Sequence, residues 1–440
     1  MPLSRLPPRR LWLRAHLAVA LGFGLFLALI GLSGSLCLYG DELDRLFNPG
    51  LTVEPHGDPR SLDELMSAVR RAHPDYAGPW TLELPRSPTD PLTAWYEKPL
   101  ETLGQPYAPL MVAVNPYTAE VLASRLWGQT ARSWLLQLHS QLHLGRRGWR
   151  LVGSLGLLLA FSAASGLYLW WPGFRRLPQA FRFRTAAGLA CLSVDVHRWL
   201  GLLGSTALLM LGLTGFGLAY PGVGETLVGT SGMGHGDDGP SVRSTGQAMG
   251  GRPVGLAEAV LLARGPFPRS DVRLVTTPDG PEGTYRITFR QPAELNDRHP
   301  MTAVWIDPHS GQIREVRNAL RFGPGETALT AIWPLHTGEL LGGWGRFAWF
   351  LAGLALPILY VTGLLRWLIA RGSVPDRPVA WVRGRRLAAR ARLALRHLIA
   401  GLGNGLMAGV AASRREGAAR LRRWQAARRS SANRAPKGWD

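Results

Sequence analysis

The sequence predicts a membrane protein: a four-transmembrane-helix bundle built from two repeats, with two small extracytoplasmic α+β domains. Three observations carry this. First, four apolar runs are long enough to cross a bilayer as helices, since about 20 such residues suffice. Second, the runs are related by matched offsets. His16 is followed by Gly31, Ser33-Gly34 and Tyr39, and His197 at the same spacings by Gly212, Thr214-Gly215 and Tyr220. Likewise His139 leads to Gly145, Ser165-Gly166 and Trp170, and His336 to Gly342, Thr362-Gly363 and Trp367. Third, two long polar segments with Pro and Gly punctuation separate the runs within each copy. The chain is thus two copies of one unit: helix, extracytoplasmic domain, helix.

The boundaries follow in order. Residues 1–40 form a short basic start (Arg5, Arg9, Arg10, Arg14) and the first span, whose apolar run Leu17 to Tyr39 is too long for a signal-peptide core. The acidic stretch DELDRLFNP follows and opens the first polar domain, 41–133. There WTLEL and PLMVAVNP alternate as short strands do, and SLDELMSAVRRAH has a helical period. The segment VAVNPYTAEVL reads as strand, tight turn, strand. Residues 134–174 hold the second span with an outer extension. It ends in LYLWWPGFRR, paired tryptophans beside arginines, as at a cytoplasmic interface. The loop 175–194 carries Arg175, Arg176, Arg182 and Arg184, again positive-inside. The third span is 195–220. The second polar domain, 221–331, opens with the Gly-rich GTSGMGHGDDG and contains VWIDPHSGQIREV, whose Asp307-Pro308 stands where Asn115-Pro116 stood before. The fourth span lies within 332–371, with Pro357 expected to kink it. A basic tail, 372–440, completes the chain.

Charge argues for lipid over nucleic acid. The formal net charge is +20, but eighteen of the Arg and Lys lie from Arg366 onward, against three acids (Asp376, Glu416 and Asp440). A basic block beside a span holds that end on the cytoplasmic side next to anionic lipid. It has no nucleic-acid reading module. Cys37 and Cys191 fall on opposite sides of the predicted membrane, so they form no disulfide and read as packing residues.

Of the 11 histidines, four stand at repeat positions: His16 and His197 at the inner helix ends, His139 and His336 toward the outer ends. Ionisable side chains in a bundle are costly and point to function. Two neutral imidazoles from facing helices suit a haem iron with two axial ligands. Zinc would call for four ligands, and no thiolate or carboxylate cluster accompanies these histidines. The recurring Ser/Thr-Gly pairs allow close helix approach and make room for a flat macrocycle. His139 and His336 precede their uncharged runs by a distance of about 15–18 Å on a straight helix. The helices therefore project above the bilayer or bend near Gly145 and Gly342. His143, one turn from His139 on a helix, competes as the outer ligand, but its counterpart is Leu340. Arg14 and Arg198 flank the inner pair and serve the positive-inside rule. Arg146, Arg147, Arg150 and Arg346 break that rule on the outer side, where haem propionates or an anionic chelate are the simplest partners.

These residues resemble the PepSY-associated transmembrane family over about Arg14 to Arg371. The resemblance rests on the His-start spans ending in Ser/Thr-Gly, the LYLWWP ending, and polar repeats with a D/N-P-x-S/T-x turn. Members include ferric-siderophore reductases of the bacterial inner membrane. What the resemblance implies is a four-helix core with two bis-His haem b groups and PepSY domains outside; the positive-inside pattern puts both termini in the cytoplasm. Asn115-Pro116-Tyr117-Thr118-Ala119 departs from the usual Asp and Gly of the turn, so the first PepSY unit reads as degenerate.

The leading expectation is an electron carrier that reduces ferric siderophores or other ferric chelates on the periplasmic side. Gly401, Gly403 and Gly405 do not follow a strand and lack the dinucleotide spacing. Electrons must then come from a quinol or a separate reductase. The alternative is a non-redox membrane scaffold whose PepSY domains bind a partner or restrain a peptidase. Hydrolysis is more distant: Ser140 and Thr337 adjoin histidines, but no acid or strained nucleophile turn accompanies them.

Overall fold

In the computed structural model, residues 9–105, 107–181, 188–234, 239–245, 253–376 and 415 are described. Nearly all of the basic tail, the Gly401–Gly405 stretch, Arg182, Arg184 and part of the Gly-rich loop lie outside them. The helices are α1 (Arg9–Cys37), α2 (Gly40–Phe47), α3 (Leu62–Ala72), α4 (Ala131–Gln141), α5 (Gly145–Trp170) and α6 (Leu177–Ala180). They continue with α7 (Leu189–Ala219), α8 (Pro221–Val228), α9 (Leu256–Ala263), α10 (Pro324–Thr330), α11 (Ile332–Thr337) and α12 (Gly342–Ala370). The strands are β1 (Thr81–Glu83), β2 (Leu92–Tyr96), β3 (Leu110–Val114), β4 (Val121–Leu126), β5 (Asp271–Thr276), β6 (Tyr285–Arg290), β7 (Thr302–Ile306) and β8 (Ile313–Arg317).

Helices α1, α5, α7 and α12 are long and apolar enough to cross a membrane. At 26 to 31 residues each they reach about 40 Å or more, beyond the hydrocarbon thickness of about 30 Å. They form a ring in which α1 packs on α12 and α5, and α7 packs on α5 and α12. Two glycine contacts set the closest approaches. A Cβ on Gly31 would lie 2.9 Å from the Gly353 carbonyl oxygen, and one on Gly353 would lie 2.7 Å from that of Gly31. Gly156 and Gly212 oppose each other in the same way, at 2.6 and 2.5 Å. Small residues thus bring backbones together where no hydrophobic drive from water operates. Helix α12 runs unbroken through Pro357.

The two polar segments build one body. The sequence predicts two small domains, but the eight strands form a single sheet in the order β4-β3-β2-β1-β5-β6-β7-β8. The halves join through antiparallel β1 and β5, with Leu82 opposite Val275. One apolar core runs under both, from Leu65, Val69, Trp80 and Val112 to Val260, Ile287, Phe289 and Val304. Asp63 of α3 accepts hydrogen bonds from the Leu256 and Ala257 amides, capping α9 of the other half. The physical reason is the open edge: a three-residue strand such as β1 would otherwise leave its backbone unpaired.

Local signals worked as chemistry requires. Ser61 and Glu64 form a capping box that starts α3. Asn115 Oδ1 accepts from the Tyr117 and Thr118 amides in the β3–β4 turn. Asp307 Oδ1 does the same for His309 and Ser310 in the β7–β8 turn. Asp307 Oδ2 further accepts from Ser244 and Thr245. Burial pushes the Asp307 carboxyl up, but these donors win and hold it well below the usual carboxylate range.

Candidate functional site

Four imidazoles come together as two facing pairs. His16 of α1 and His197 of α7 have ring centroids 6.5 Å apart, nearly perpendicular at 86°. His139 of α4 and His336 of α11 stand 6.0 Å apart at 41°. The second pair lies at the end of the bundle that carries the sheet, and the first lies distal to it. His197 and Thr214, which contacts His336, are on one helix, about 25 Å apart at 1.5 Å per residue.

Each ring is backed by a glycine of a neighbouring spanning helix. A Cβ on Gly34 would come 2.6 Å from the His139 ring. Cβ atoms on Gly166, Gly215 and Gly363 would come 3.3 Å from His16, His336 and His197 respectively. The glycines of the Ser/Thr-Gly pairs thus seat the histidines. The absence of a side chain lets each ring lie against a helix backbone.

The neighbouring groups assign the tautomer. His16 Nδ1 is 2.9 Å from Ser165 Oγ, whose own hydrogen goes to the Ser162 carbonyl. His336 Nδ1 is 2.9 Å from Thr214 Oγ1, whose hydrogen goes to Met210. His197 Nδ1 is 3.0 Å from the Leu359 carbonyl and 3.1 Å from Thr362 Oγ1, itself donating to Ile358. His139 Nδ1 is 2.9 Å from the Ile30 carbonyl. With every acceptor so placed, Nδ1–H is the donor in all four. Each Nε2 then carries the lone pair that a metal ligand needs.

The spacing matches two imidazoles on one metal. A metal–nitrogen bond of about 2 Å and about 1.1 Å from nitrogen to ring centre, on both sides, give about 6.2 Å. Among the described residues no group of three or more His, Cys, Asp or Glu gathers to hold a metal ion. Each pair offers two imidazoles. At the distal pair, the Trp12 and Trp199 indole Nε1 atoms are buried without an acceptor among the described residues. They sit on the two helices that carry His16 and His197, and would suit the carboxylates of a bound cofactor.

The other residues singled out from the sequence fall as follows. The chain bends where the repeat glycines had suggested: α4 ends in left-handed residues Leu142 and His143, and Gly338 and Gly342 turn the chain between α11 and α12. His139 and His336 are therefore folded back toward the bundle and do not project from it. His143 shares no face with His139. At φ +56° it lies past the helix end and packs against Trp134, ring centroids 4.8 Å apart and tilted by 41°. Arg346 lies over Tyr39 and pairs with Glu42 at 3.0 Å, so its charge already has a partner. Arg146, Arg147 and Arg150 are exposed, as is Arg14. Cys37 and Cys191 are free thiols.

The fold combines four helices long and apolar enough to cross a membrane, two facing histidine pairs and one fused sheet, which is the class of a membrane protein. The chain belongs to the PepSY-associated TM region family, whose profile matches residues 13–370. Comparison with curated proteins gives no match.

Proposed function

We propose that this chain is an inner-membrane electron-transfer protein holding two b-type haems and reducing ferric siderophores or other ferric chelates on the periplasmic side. The observation that carries the reading is the doubled site: two pairs of Nδ1-anchored imidazoles, one toward each end of the bundle. His16 and His197 hold one haem, and His139 and His336 the other. When bound, haem b supplies one-electron exchange between ferric and ferrous iron. The chain's own residues fix ring orientation through Ser165, Thr214, Thr362 and two backbone carbonyls, and raise ligand basicity. Trp12 and Trp199 donate to the distal cofactor's carboxylates. Arg146 offers positive charge at the sheet-side rim.

The two-repeat layout supports this reading, because Ser165-Gly166 serves His16 as Thr362-Gly363 serves His197. In the proposed topology both termini are cytoplasmic, and the two polar segments, each PepSY-like, are periplasmic. The distal pair then faces a quinol or a separate reductase as donor, and the sheet-side pair faces the chelate. Reporter fusions at residues 85 and 270 test the topology. Both should give a periplasmic signal, and a cytoplasmic signal from either overturns it. Purified protein, reduced and mixed with a ferric siderophore, should be reoxidised with release of ferrous iron. Haem-loaded protein that passes electrons to no ferric chelate ends the reductase reading. A colourless protein favours the scaffold that binds a partner or restrains a peptidase.

A further inference from the structure

We propose that Asp41 is the positioning residue of the sheet-side histidine pair: its carboxylate ties the helix carrying His139 to the loop that braces the helix carrying His336. The acidic stretch after the first span has no part in the sites described above, yet it stands where the bundle meets the sheet. Asp41 Oδ1 accepts from Arg132 at 2.7 Å. Arg132 opens α4, two turns before His139, and its stem lies on Gly40, where a Cβ would come within 3.1 Å. The other oxygen, Oδ2, accepts from Arg298.

Arg298 belongs to the β6–β7 connection, and that loop is braced. Asp297 pairs with Arg273 at 3.2 Å and Arg290 at 2.9 Å. Glu294 accepts from the Thr302 amide and hydroxyl. Asn296 caps the His299 amide at 2.8 Å. The His299 ring meets Trp333 edge-on at 4.9 Å, and Trp333 is one turn before His336 on α11. One carboxylate thus closes a path from His139 through Arg132, Asp41, Arg298, His299 and Trp333 to His336. The facing charges are Arg132 from α4, Arg298 from the loop, and Arg86 from the β1–β2 connection.

Side-chain exposures of 32% for Asp41, 34% for Arg132 and 25% for Arg298 limit what the pairs add to global stability. The role is geometric, and its loss should be read locally. The distal pair rests on spanning helices alone and should not respond.

The test measures the gap directly. In full-length protein with Cys37 and Cys191 replaced by Ser, nitroxide labels go on Leu144→Cys and Leu295→Cys, exposed positions beyond α4 and in the loop. Asp41→Ala and Arg298→Gln should each lengthen and broaden the pulsed-EPR distance distribution, and Asp41→Glu should restore it. An unchanged distribution in both disruptive variants overturns the proposal. The consequence for cofactor rests on the haem reading: in redox titrations, Asp41→Ala should move one haem component and leave the other. Equal movement of both overturns the selectivity. Protein without haem refutes the haem reading while the label distance still decides the clamp.

Discussion

The two histidine pairs share their chemistry and differ in how they are held. The distal pair stands directly on spanning helices, so bilayer crossing and helix packing alone bring His16 to His197. The sheet-side pair stands on short helices folded back by left-handed turns. These are held by extramembrane contacts as well as by the bundle: Trp349 Nε1 donates to the Leu335 carbonyl at 2.8 Å. One site is thus an outcome of membrane insertion, and the other also depends on the fused sheet. Events at the sheet therefore reach the site nearest them and spare the distant one.

The largest expected effect comes from removing a ligand. His16→Ala or His197→Ala should abolish the distal haem and leave about half the total, and His139→Ala or His336→Ala should do the converse. His143→Ala should keep both, since its ring packs against Trp134. Loss of the sheet-side haem in His143→Ala with retention in His139→Ala would reverse the assignment.

Next come the backing glycines, where the two regions separate by distance. Gly34→Ala places a methyl 2.6 Å from the His139 ring, closer than real contacts allow, so that ring must shift. Gly166→Ala meets His16 at 3.3 Å and needs a displacement of only tenths of an ångström. Haem content should fall strongly in the first variant and slightly in the second. Equal losses would mean that the rings are not seated as described.

Smaller effects follow from the hydroxyls. Ser165→Ala and Thr214→Ala each remove a hydroxyl acceptor of a ligand's Nδ1–H, worth about 1 kcal/mol and a loss of cofactor affinity of about fivefold. Thr362→Ala should do less, because His197 also has the Leu359 carbonyl. Midpoint potentials of the two haems, measured in each variant, check this order.

The smallest effect is on pH. Burial raises the Asp41 carboxyl, but Arg132 and Arg298 outweigh it and hold it below the ordinary value. A depressed folded-state pKa means that its stabilisation is present above the unfolded value of about 4 and lost as pH falls through the folded one. The label distance across the sheet-side pair should therefore be constant from neutral pH to about 4 and relax only below it. Relaxation between pH 5 and 7 would point instead to a histidine or to Glu294 or Glu339, whose carboxyls burial raises.

Much of this was legible from residue spacing. The four spans, the matched offsets and the four histidines all stand in the sequence, because insertion needs long apolar runs and the spacing within them is preserved. The pairing was legible once the run directions were assigned. That the Ser/Thr-Gly glycines lie against the rings was not, since a small residue that permits helix approach looks the same as one that seats a ring. A bend near Gly145 was legible, but its start at Leu142 and His143 was not, because left-handed residues other than glycine leave no mark in composition. Strand β1 is three residues long, too short for its pairing with β5 to be read from alternation. Arg346 looked available for a ligand because Glu42, its partner, is remote in sequence.

The most direct test of the central claim is the haem count by pyridine haemochrome across a short histidine series. The wild type should carry two haem b per chain, His16→Ala and His139→Ala one each, and the double variant none. A wild type without haem, or single variants that lose both or neither, would contradict the two-pair account.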